Sequence, residues 1–199
     1  MATDYGPWAP ADRASLSRLL QRFGAASFRW WVSGGLALEL WTGRSWRAHG
    51  DVDIGIVRAD FPRVAAALDG YALFVAASGK LSPYEGQALA SRRHENNVWA
   101  RDPVTELWQL DVQLGEGDAT HWIYRRDSSV RRPWPTAVLA DRNGVPYLAP
   151  DLQLLFKSKQ PRAKDHEDAA QVIPALAVEQ RAFLRAQLAT DHPWQRLLA

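Results

Sequence analysis

The sequence predicts an α+β protein: a mixed core of strands and helices over residues 1–150, followed by a helical segment over 151–199. Three observations predict it. Short β-branched or aromatic runs alternate with stretches of helical spacing up to Pro150. Asn143-Gly144 sits between two apolar runs, the pattern of a hairpin turn. After Pro150 the strand pattern stops, and "DLQLLFKSKQ", "AKDHEDAAQVIPAL" and "VEQRAFLRAQLA" all read as helices.

The elements follow in order. "PADRASLSRLLQRFG" has helical spacing at Leu16, Leu19, Leu20 and Phe23, with Pro10 suited to the first turn and Gly24 to the stop. "FRWWVSG" is a short strand, "GLALELWTG" a short helix between glycines and "VDIGIV" a strand. "DFPRVAAALDG" is a helix with Asp60 as its N-cap and Gly70 as its stop. "YALFVAA" reads as a buried strand. "SGKLSPYEGQALASRRH" reads as a loop with room for a short helix. "ENNVWARD" and "LWQLDVQL" are two strands joined by the turn "DPVTE", and "HWIYRRD" can pair next.

The 199 residues suffice for one domain with a sizeable core and a helical appendage. Apolar content of 47% and charged content of 23% are those of a soluble globular protein. The absence of cysteine excludes a disulfide scaffold, a zinc–cysteine site and a cysteine nucleophile, and it fits a reducing compartment. The N-terminus "MATDYGPWAPADR" lacks the basic start and apolar run of a signal peptide. The longest apolar run, "YALFVAA", is far too short to span a membrane. A cytoplasmic protein without a membrane partner is expected, as a monomer or homodimer. A net charge of +2 does not point to nucleic acid. Most of the ten tryptophans are expected to fill the core, with two or three lining a pocket.

The chemistry concentrates in "WVSGGLALELWTGRSWRAHGDVDIGI". Residues i and i+2 of a strand project to the same side, so Asp51 and Asp53 should point together while Val52 and Ile54 enter the core. Two such charges repel unless a cation neutralises them, and a divalent ion with oxygen ligands is the simplest one. Asp111, in an otherwise apolar strand, completes a trio if that strand lies beside the first, about 5 Å away. Ser33-Gly34-Gly35 turns from strand to helix, where backbone amides favour an anion. There is no G-x-x-x-x-G-K-[ST], G-x-G-x-x-G or G-x-S-x-G pattern.

With the Gly-Gly turn, short helix, D-x-D and a later lone strand aspartate in this order, the sequence resembles the nucleotidyltransferase superfamily related to DNA polymerase beta. More narrowly, it resembles the antibiotic-modifying branch of lincosamide and aminoglycoside 2''-nucleotidyltransferases, through Gly43, Arg47, His49, Asp51 and Asp53. A second match, "PDLQLLFKSKQPRAKDHEDAAQV", places Lys157, Lys164, Asp165 and Asp168 in that family's segment after the core. The resemblance implies a mixed, twisted sheet with helices on one face. It also implies a nucleoside triphosphate, with ATP expected, bound with one or two magnesium ions on Asp51 and Asp53. Ser33, Gly34 and Gly35 would hold the terminal phosphates. Asp111 would be a third metal ligand or the base for a small hydroxylated acceptor such as an aminoglycoside or lincosamide.

Arg44 and Arg47 are expected to neutralise the triphosphate, since guanidinium forks match phosphate. His49 would orient Asp51 or touch a phosphate, and Lys164 would reach the nucleotide, with Lys157 a weaker candidate beside it. The pairs Arg92-Arg93, Arg125-Arg126 and Arg131-Arg132 read as solvated edges, with Arg92 and Arg93 open to a nucleotide role. Two rivals stand beside this reading: a toxin-type enzyme that modifies tRNA or protein, marked by a continuous basic stripe, and a non-catalytic nucleotide-binding module, marked by loss of one of the three acids.

Overall fold

A computed structural model describes residues 5–199; residues 1–4, where the N-terminal signal-peptide reading begins, lie outside the described residues. The first helix, α1 (Arg13–Phe23), starts at Asp12, whose carboxylate accepts from the Ser15 amide at 2.8 Å. Pro10 therefore precedes the helix instead of sitting in its first turn. Strand β1 (Trp30–Val32), helix α2 (Gly34–Thr42) and strand β2 (Asp53–Val57) follow as expected. Helix α3 (Phe61–Ala67) lies after a short 3-10 turn, and Asp60 makes no side-chain cap bond there.

Strand β3 (Ala72–Ala77) is only partly buried, because it lies next to the sheet edge. The segment read as a loop supplies that edge, β4 (Lys80–Pro83), and a 3-10 turn at Leu89–Ser91. Its alternation was too short and too polar to register as a strand. Strands β5 (Asn97–Arg101), β6 (Trp108–Gly117), β7 (His121–Ile123) and β8 (Arg131–Pro133) continue the chain. A four-residue helix α4 (Trp134–Ala137) precedes the hairpin β9 (Val138–Ala140) and β10 (Pro146–Leu148), which turns at Asn143-Gly144. Helices α5 (Pro150–Lys157), α6 (Ala163–Val172) and α7 (Val178–Gln187) complete it.

The strands form one mixed sheet in the order β4-β3-β5-β6-β2-β1-β10-β9, with β7 and β8 branching from β6. Alternation along the strands feeds two cores. Trp30, Val32, Ile54, Ile56, Val98 and Val112 pack with Leu16, Leu19 and Phe23 of α1 and Phe61 and Val64 at α3. Trp31 faces the other way, into a second core with Trp122 of β7 and with Leu152, Leu155, Val172 and Leu184 of the C-terminal helices. Helices thus flank both faces of the sheet instead of one. The second core covers only the β1 side of its face, and leaves the face of β2, β6 and β5 open for a site. No helix among the described residues is long and apolar enough to cross a membrane.

Candidate active site

Strands β2 and β6 are parallel neighbours, and their register sets Asp53 directly opposite Asp111. Asp51 lies just before β2, in the loop, so strand alternation does not place it. It nevertheless turns to the same spot: one carboxylate oxygen from each of Asp51, Asp53 and Asp111 lies within 4.8 Å of the others. Two amides that the sequence did not single out hold two of the three acids. Asn97 Nδ2 donates to both oxygens of Asp111 at 2.8 and 2.9 Å, and Gln113 Nε2 donates to Asp53 Oδ1 at 3.0 Å. Both come from the strand register, since Asn97 pairs with Gln113 across β5 and β6.

Burial and then the neighbouring Asp51 charge push the Asp53 carboxyl up to about 7. Burial and then Asp53 push Asp111 well above the usual carboxylate range. A cluster that strains to ionise is one that a cation would relieve, and three carboxylates suit a hard divalent ion.

The turn into α2 is shaped around these acids. Gly34 has φ +69°, and a Cβ there would collide with Asp53 Oδ2; a Cβ on Gly35 would collide with the Arg47 guanidinium. The Gly34 N–H donates to Gln153 Oε1 of α5 at 3.1 Å, so it is not free for a phosphate as expected. Gly35, the second residue of the helix, has no acceptor within the helix for its N–H. Ser33 is buried at the N-cap and its hydroxyl makes no capping bond.

Around the trio lies a cavity of about 660 Å³. Ser33, Gly34 and Gly35 line it on one side, and Lys157, Arg162 and Lys164 of the C-terminal segment line it on another. Arg125 and Arg126, read as solvated edge residues, also reach it, and Arg126 donates to the Phe156 carbonyl at 2.8 Å.

Arg47 lines the cavity, but its donors are largely taken. Its Nε and Nη2 form a bidentate pair with Asp168 at 2.9 and 3.0 Å, and Nη1 donates to the Ala48 carbonyl and to His49 Nδ1. Arginine only donates, so His49 Nδ1 accepts and the proton sits on Nε2, which lies 3.1 Å from Glu39 Oε1. Glu39 also accepts from the Trp46 and Arg47 amides. His49 therefore braces the loop and touches Glu39, not Asp51. Lys157 bridges Asp165 and Asp168 at 2.8 and 2.9 Å. Burial alone would raise the Asp168 pKa, but Arg47 and Lys157 outweigh it and hold the carboxyl below its usual range.

Arg44 is absent from this cavity and lines a separate one between α1 and α2. Arg92 pairs with Glu95 and Arg93 with Glu116, both away from the cavity, so neither faces a nucleotide there. The residues brought together are thus Ser33, Gly34, Gly35, Arg47, His49, Asp51, Asp53, Asp111 and Lys164.

No curated protein matches the chain significantly in sequence. Solved structures do match in fold. The lincosamide antibiotic adenylyltransferase LnuA, bound to lincomycin, superposes with a TM-score of 0.56 at 17% identity over 82% of this chain and 98% of its own. ANT(2'')-Ia in complex with adenylyl-2''-tobramycin gives 0.55 at 14% identity, over 88% of this chain and 99% of its own. An antigenic nucleotidyltransferase-like protein from Paracoccidioides brasiliensis gives 0.50 at 19%, over 96% of this chain and 94% of its own. The family model for aminoglycoside-2''-adenylyltransferase matches residues 15–172. The chain belongs to that family of nucleotidyltransferases.

Proposed function

We propose that this protein transfers a nucleoside monophosphate from a nucleoside triphosphate, with ATP as donor, to a hydroxyl of a small molecule in a magnesium-dependent reaction. The observation that carries the reading is the meeting of Asp51, Asp53 and Asp111 in a cavity whose far wall is cationic. The three acids would hold magnesium, which when bound neutralises them and polarises the phosphoryl oxygens. The raised pKa values of Asp53 and Asp111 fit that role, since both resist ionisation in the bare cluster.

Lys164 and Arg162 would face the β- and γ-phosphates, and the Gly35 N–H with the Ser33 hydroxyl would bind a phosphate oxygen at the start of α2. The acceptor oxygen attacks the α-phosphorus while its proton passes to the Asp111 carboxylate. The bond from α-phosphorus to the bridging oxygen breaks and pyrophosphate leaves. Catalysis of this kind is positioning and charge neutralisation. Lincomycin and adenylyl-2''-tobramycin, bound in the structural neighbours, make lincosamides and aminoglycosides the first acceptors to try.

The test is incubation with each of four labelled nucleoside triphosphates, magnesium and a panel of these drugs, followed by mass spectrometry. The expected product is a drug heavier by one nucleoside monophosphate, absent with EDTA and with Asp53→Asn. Label on RNA, with no drug adduct, would overturn the reading.

A further inference from the structure

Another cavity, of about 240 Å³, opens on the other side of Asp111. Asn97 and Asp111 line both cavities, so the two meet at this carboxylate. The sheet order sets their sides. The cationic wall stands over the β2 side and the C-terminal helices, whereas the smaller cavity lies over β5, β3 and β4. Register runs Asp53, Asp111, Trp99 and Phe74 across β2, β6, β5 and β3, so Trp99 stands next to Asp111 on the same face.

Trp99 is fixed edge-on by Tyr5, Trp8 and Trp108, with ring centroids at 5.4, 5.0 and 5.4 Å. The Tyr5 hydroxyl donates to the Gly79 carbonyl at 2.5 Å and closes the cavity against the β3–β4 hairpin. The Trp99 indole N–H is turned to the Asp111 carboxylate and favours its charged form, so the ring stands directly beside the acid. Lys80 lines the mouth and makes no ion pair among the described residues. Asp111 is the one carboxylate among the described lining residues.

We propose that this groove is the acceptor subsite, and that it takes one ring of a glycoside of low positive charge, with its hydroxyl delivered to Asp111 and its ring against Trp99. The inference rests on the nucleotidyltransferase reading above. In-line displacement requires the nucleophile opposite the leaving group, and the groove lies across the acids from the cations that would meet pyrophosphate. The volume is below the usual range for a drug-sized ligand, so one ring enters and the remainder stays outside. An aromatic floor with a lone lysine favours a ring with an apolar face over a polycation, which Lys80 repels.

Calorimetric titration of the full chain with lincomycin and with tobramycin tests this. Lincomycin is expected to bind at least about tenfold more tightly than tobramycin. Trp99→Ala should weaken lincomycin about tenfold or more, and Lys80→Glu should strengthen tobramycin. Trp99→Phe, which keeps a ring, should bind lincomycin within about threefold of wild type and covers the case in which Trp99→Ala fails to fold. Tighter tobramycin than lincomycin, no lincomycin binding, or unchanged lincomycin binding in a folded Trp99→Ala would each overturn the inference. Titration of wild type with ATP and magnesium reports separately on the nucleotide reading, because its failure leaves the drug titrations interpretable.

Discussion

Asp53 sits where charge is hardest to keep, and that makes its titration visible in stability. Its carboxyl is raised from 3.8 to about 7 in the fold by burial and by Asp51. A proton then binds the native state more tightly, so the stabilisation is full below 3.8 and is lost as pH rises through 7. Asp165 and Asp168 are held low and act the other way only in acid, below about pH 4. In EDTA the melting temperature should therefore be several degrees higher at pH 5 than at pH 8. Asp53→Asn should flatten that difference, and magnesium at pH 8 should recover it; identical wild-type melting at both pH values would contradict the raised pKa. The same variant should lose about 10²-fold or more in transfer rate. Asp111 was legible as a lone acid in an apolar strand, and the parallel register delivers it to Asp53. Asn97 and Gln113 were not, because an amide in a strand has no chemical signature until pairing gives it a partner.

At the scale of elements, the loop between α2 and β2 is tied to α6. Asp168, fully buried, takes both forks of Arg47 and the Trp46 indole, while Glu39 takes the loop amides. Asp168→Asn leaves Arg47 without its counter-charge and should cost about 3 kcal/mol in urea unfolding. Arg47→Met combined with Asp168→Leu should cost less than the sum of the two single changes, and a simply additive cycle would deny the coupling. Gly34→Ala should destabilise by more than about 1 kcal/mol, since φ +69° and Asp53 both exclude a methyl group. Motif resemblance located Arg47, His49, Lys157, Lys164, Asp165 and Asp168 along the chain, but a motif gives a place and not a partner. Only the packing of α6 on the loop shows that Arg47 serves Asp168 first. Arg44, three residues from Arg47 on an exposed turn, lines the cavity beside α1 instead, a placement that spacing along the chain does not reveal.

At the scale of the molecule, the sheet divides the open face into a cationic side and an aromatic side, with the acids between them. Binding on the cationic side should weaken as ionic strength rises, because several exposed lysines and arginines would meet a polyanion there. The KM for ATP should climb with added salt while lincomycin affinity changes little; equal sensitivity would contradict the division. The fold class was legible, since the strand and helix periods switch at Pro150 and the Asn143-Gly144 hairpin announces itself. The aromatic side was not, because it is built from the unassigned β4 edge and from Tyr5, whose proximity to Trp99 is set by long-range packing.

Manganese binding, followed by electron paramagnetic resonance with a non-hydrolysable ATP analogue present, asks most directly whether Asp51, Asp53 and Asp111 act together. Wild type is expected to bind one or two ions, and Asp53→Asn and Asp111→Asn should each weaken them about tenfold or more. Manganese held equally well by wild type and both folded variants would contradict the central claim.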